Sequence, residues 1–191
     1  MTEAIAVDNS TLSATQTCET QVALRYVLGY DAAEDRAPLV AGTAVHAALA
    51  AWLKSGGNVQ EAMRTLEVEY MPWALEHVIE TDDRLSFANV KRVMEYWFDV
   101  HPLSSWPATV RPEMVEVGFA VPIADDVIFV GRADAVGQDA RGAWVVVEHK
   151  SSGRLDERWR KTHRMAAQLT GYTYAMQEHV NAPVLGAFVN G

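Results

Sequence analysis

The spacing of apolar and polar residues changes period midway along the chain. Residues 1–15 are small and polar with no sustained period, which predicts a loose N-terminal arm. Over residues 16–30 the apolar positions Val22, Leu24, Tyr26, Val27 and Leu28 suit a helix, closed by Gly29 and a charged loop over 31–36. Thr43 is placed as N-cap of a helix over residues 44–54, which Gly56 and Gly57 end. Two further helices are predicted over 59–79 and 85–101. Their apolar stripes, with Leu66, Tyr70 and Trp73 on one and Val90, Met94, Trp97 and Phe98 on the other, are assigned to packing. Pro102, Pro107 and Pro112 separate this helical part from the C-terminal half, and His77 and His101 carry no context that assigns them a role.

From Glu113 the period becomes that of strands. Residues 113–121 form one, ended at Pro122 and turned at Asp125 and Asp126. Val127 to Val130 lead into Gly131, Arg132, Ala133 and Asp134; after the turn-rich 137–142, the β-branched run 143–147 ends in Glu148, His149 and Lys150. Side chains alternate along a strand, so Glu148 and Lys150 share a face while His149 points the other way. Paired as a hairpin, the two runs would bring Asp134 and Glu148 to one sheet edge, an oxygen site suited to Mg2+ or Mn2+, with the Lys150 ammonium beside it. A helix over about 158–179 comes next, placing Gln168 and Tyr172 one turn apart on one face, and residues 183–189 read as a last core strand.

Composition narrows the partners. With 191 residues, 49% hydrophobic, the chain supports one substantial core and one domain over 1–191, divided into the arm, a mainly helical part over 16–101 and a sheet-and-helix part over 113–191. A net charge of −9 argues against coating nucleic acid with the whole surface, since that affinity comes from Lys and Arg displacing counterions. A local patch remains: Lys150, Arg154, Arg158, Arg160, Lys161 and Arg164 lie at or just after the proposed site, opposed only by Asp156 and Glu157. No apolar run approaches the roughly 20 residues of a membrane span, and there is no signal-peptide layout, so the expectation is no membrane partner and a cytoplasmic setting, bacterial or phage-encoded. The single cysteine, Cys18, excludes an intrachain disulfide and is read as buried or incidental. No G-x-x-x-x-G-K loop is present to cradle a nucleotide.

Asp134, then Glu148-His149-Lys150, then Gln168-Leu169-Thr170-Gly171-Tyr172, preceded by Gly42-Thr43-Ala44-Val45-His46, resembles the PD-(D/E)XK nuclease superfamily and, within it, the RecB-like branch. The resemblance covers most of the chain and implies an α/β fold with a restriction-endonuclease-like central mixed sheet flanked by helices, plus an N-terminal helical layer. It also implies a divalent-metal-dependent nuclease acting on DNA, end-directed in preference to sequence-specific. His46, Asp134, Glu148 and the His149 carbonyl would hold the metal, Lys150 would serve catalysis, Gln168 and Tyr172 would hold substrate or catalytic groups, and Glu116 would support the metal. Implied partners are DNA and proteins of recombination, replication or CRISPR adaptation. Cys18 stands where that branch often carries the first of four cluster cysteines; the other three are missing, so no four-iron cluster is expected unless the natural chain continues past Gly191. The competing reading is a non-catalytic nucleic-acid-binding or partner module of the same fold.

Overall fold

The computed structural model describes residues 4–30, 37–77, 83–164 and 166–191. The elements run β1 (Ile5–Val7), α1 (Asn9–Thr17), α2 (Glu19–Val22) continuing as a π-helical turn (Ala23–Val27), α3 (Ala37–Lys54), α4 (Val59–His77), α5 (Phe87–Val100), β2 (Thr109–Ala124), β3 (Val127–Gln138), β4 (Trp144–His149), α6 (Glu157–Arg164), α7 (Ala167–Val180) and β5 (Val184–Asn190). It is the expected α/β arrangement, a mixed five-stranded sheet flanked by helices.

β3 is the central strand. β2 pairs with it antiparallel over its whole length, so β1, parallel at one end, and β4, antiparallel at the other, both lie on its far side. β5 then adds parallel to β4. One face of the sheet is covered by α3, α4 and α5, which bury Leu49, Trp52, Leu66, Tyr70, Met94 and Phe98 with Val115, Ala135 and Val147. The other face is covered by α7, whose Tyr172, Ala175 and Met176 pack with Phe129, Ala133, Val136 and Val146. Burial of these side chains stabilises the layers by roughly 1.5–3 kcal/mol for each large residue.

Several boundaries differ from the sequence reading. The N-terminal segment is not loose: Ile5 to Val7 pair with Val127 to Phe129, and Asp8 caps α1 by accepting from the Thr11 N–H at 2.7 Å. A three-residue edge strand is too short to show a period, which hid it. The helix carrying His46 starts at Ala37, not after Thr43; Pro38 suits a first turn, and the Thr43 hydroxyl donates to the Leu39 carbonyl at 3.0 Å inside the helix. At 18 residues with mean hydropathy 1.2, α3 meets the length and composition of a membrane span, contrary to the sequence estimate, although seven of its residues are buried among α4, α5 and the sheet as in a core helix. Pro112 lies within β2 and Pro122 does not end it; both fall beside irregularities in the β2–β3 register. β3 runs on through Asp134 to Gln138. The single helix expected over 158–179 is two, separated at Ala166, which is extended (ψ 131). Of these, α6 buries nothing while α7 is packed on the sheet. The loop over 31–36 and the end of the helix predicted to residue 79 fall outside the described residues.

Candidate active site

The antiparallel register of β3 and β4 sets Ala135 opposite Val147, so Asp134 and Glu148 emerge side by side where the two strands end their pairing. Glu148 faces α7. Its Oε1 accepts from Lys150 Nζ at 2.6 Å and from Gln168 Nε2 at 2.9 Å, and the same Gln168 amide donates to the Tyr172 hydroxyl at 3.1 Å. Its Oε2 is buried with no hydrogen-bond partner. Burial and, after it, the negative charge of Asp134 push the Glu148 carboxyl above its usual range, despite Lys150.

Asp134 meets the opposite layer. Its Oδ1 lies 3.1 Å from His46 Nδ1 on α3, and its Oδ2 accepts from the His149 N–H at 2.7 Å. Burial opposes its charge, but the His46 contact and the His149 N–H outweigh that and hold the carboxyl below its usual value. His46 is correspondingly raised, chiefly by the Asp134 hydrogen bond. Gly42, one turn earlier, faces the loop after the strand, where an added Cβ would meet Ser151 Oγ at 3.4 Å, an ordinary contact.

His149 points away from Glu148 and is 3% exposed. Its ring lies edge-on to His46 at 5.9 Å and tilted against Trp106 at 6.0 Å, and its Nδ1 is 2.9 Å from the Asn190 amide of β5. Burial holds it neutral, with the pKa lowered to about 4.

Trp106 and Asn190 were missed by sequence reasoning, since only sheet pairing brings Asn190 to a residue 41 positions earlier. Glu116 is the one acidic candidate whose carboxylate is engaged elsewhere, with Arg132 Nε at 2.6 Å. Cys18 is free and exposed, not buried; it separates α1 from α2. Of the basic run, Arg160, Lys161 and Arg164 line a groove of about 760 Å³ between α6, α7 and β5, with Trp159 and Tyr174 among its walls. Arg158 is exposed on α6, and Arg154 is paired with Asp156 at 2.9 Å.

The donor set is oxygen-rich, with Glu148 buried, Asp134 half-buried and one Glu148 oxygen unpartnered, which fits a hard divalent cation such as Mg2+. Yet among the described residues no three His, Cys, Asp or Glu side chains are grouped closely enough to enclose an ion. His46 Nδ1 lies against Asp134 Oδ1 and Lys150 Nζ against Glu148 Oε1, so binding would require these side chains to exchange partners.

A mixed sheet with helices on both faces, presenting an Asp from one strand and a Glu-x-Lys from the next, is the arrangement that the sequence resemblance implies. The model of the PD-(D/E)XK nuclease superfamily matches residues 9–190, and the chain belongs to that superfamily. No curated protein matches it.

Proposed function

We propose that this chain is a divalent-metal-dependent deoxyribonuclease of the RecB-like branch, directed to DNA ends and working in bacterial or phage DNA processing in the cytoplasm, alongside recombination, replication or CRISPR-adaptation proteins. The observation that carries the reading is the contact of Lys150 Nζ with Glu148 Oε1 at 2.6 Å, beside Asp134, on rigid strand ends. Asp134, Glu148, the His149 carbonyl and His46 are the residues that would hold Mg2+ or Mn2+. The ion would supply a lowered pKa to a bound water and charge neutralisation for phosphate.

The chain's own groups account for the rest. Lys150 is three-quarters buried, so its ammonium can orient a water and offset negative charge on a phosphoryl oxygen with little solvent screening. Gln168 fixes the Glu148 carboxylate and is itself fixed by Tyr172. The basic groove gives the phosphate backbone a path that the acidic surface elsewhere does not. Incubation with linear and circular DNA in Mn2+ tests the reading. Linear substrate should be degraded preferentially, and Lys150→Ala should lose about a hundredfold or more in rate; equal rates for parent and variant would overturn it.

The pairing of His46 with Asp134 favours a second reading, a nucleic-acid-binding module that has left chemistry behind. Calorimetric titration with Mn2+ separates the two, because the module would take up no ion.

A further inference from the structure

Residues two apart on a regular strand share a face. β2 and β3 both break this rule, and at the same level. Val115 is buried under the α3–α5 layer but Val117 under α7; Ala135 and Ala133 divide in the same way. The register still sets Val115 against Ala135 and Val117 against Ala133, so each strand slips one residue in phase, at Glu116 and at Asp134, which fall opposite each other.

Glu116 carries the backbone feature responsible. Its φ is 59°, in the left-handed region that a residue with a Cβ occupies at a cost. Among the described residues the only other non-glycine with positive φ is Asn181, which ends α7, where such a conformation is routine. Glu116 lies in mid-strand. Arg132, two residues before Asp134 on the neighbouring strand, holds its carboxylate at 2.6 Å.

The slip decides where Asp134 can reach. Had β3 kept the phase of Val136, Asp134 would lie with Glu148 on the α7 side, away from α3. At the slip it instead touches His46 on α3 and the His149 N–H of β4. We propose that Glu116 is a positioning residue: its left-handed backbone sets the phase slip that turns Asp134 towards His46 and the His149 amide. This differs from the metal-supporting role implied by the family resemblance, because the backbone conformation matters and the carboxylate is paired with Arg132. Its value for catalysis rests on the proposed nuclease reading, while the positioning itself is measurable without metal or DNA.

The test is amide hydrogen exchange in EDTA, followed by NMR, on the parent, Glu116→Val, Glu116→Gly and Glu116→Asn. The valine variant should lower protection of the His149 amide about tenfold relative to the amides of Val146 and Val147, because a β-branched residue pays more than glutamate for the left-handed region. Glycine and asparagine accept the left-handed region and should keep parental protection of the His149 amide. If the valine variant does not fold, Glu116→Thr, β-branched but polar, takes its place. Parental protection of His149 in the valine or threonine variant would overturn the proposal. So would loss of His149 protection in the glycine and asparagine variants, since that result would assign the role to the carboxylate. An inactive parent would count against the nuclease reading alone, and the exchange result would still decide the positioning.

Discussion

His46 and His149 stand edge to face, ring centroids 5.9 Å apart, and their surroundings shift their pKa values in opposite directions. Asp134 bonds to the ring of the first and raises its pKa; burial lowers that of the second to about 4. Two cations at this separation would repel, and the arrangement keeps one neutral.

The two shifts set the sign of the acid response. His149 binds a proton near 6.5 when unfolded and only near 4 when folded, so its contribution is full above pH 6.5 and is lost as pH falls towards 4. The loss is about 3 kcal/mol at most. His46 acts in the opposite sense, adding stability as pH falls through its raised folded value, so the net loss is smaller. Urea unfolding in EDTA at pH 7 and pH 5 should show the parent losing more stability, or gaining less, on going to pH 5 than His149→Gln does. The same pH dependence in parent and variant would contradict the neutral His149.

His46→Ala should weaken Mn2+ binding roughly tenfold, the size of effect seen when a metal site loses a supporting group. The fold should survive, because alanine favours the helix and the ring is partly exposed at the site edge. Calorimetry and far-ultraviolet circular dichroism read the two effects separately. Unchanged affinity would remove His46 from the ligand set.

Gln168→Ala removes one of the two donors that hold Glu148 Oε1, so the Glu148 carboxyl, already raised by burial, should rise further. The acid limb of the pH–rate profile should then move to higher pH. Tyr172→Phe leaves the Gln168–Glu148 bond in place; it should cost about 1 kcal/mol of stability and leave that limb where it was. An equal displacement by both substitutions would show that they act through packing.

Gly171 touches no candidate catalytic group, yet Gly171→Val should impair both stability and activity. Even an added Cβ would stand 2.8 Å from Phe129 Cε1, which forces α7 away from β3 and carries Gln168 with it. A loss of about 1–3 kcal/mol is expected from such overpacking. Thermal unfolding and the nuclease rate should fall together, and a fully stable, fully active variant would exclude the close approach.

Much of this was determined by local pattern. The change from helical to strand period after the prolines, the β-branched run ending in Glu148-His149-Lys150, and the one-turn spacing of Gln168 and Tyr172 are properties of neighbouring residues. They predicted the α/β class, the β3–β4 hairpin and the side on which Glu148 and Lys150 meet. Tertiary structure decided what local periods do not encode. The short β1 depends on a partner more than 120 residues away, α3 starts at Ala37 and not at Ala44, and Asn190 reaches His149 only through the parallel β4–β5 pairing. Above all, strict alternation along β3 would have placed Asp134 away from α3. It meets His46, 88 residues away, because a left-handed residue on the adjacent strand shifts the phase of both, and a backbone angle imposed across a sheet leaves no period in the sequence.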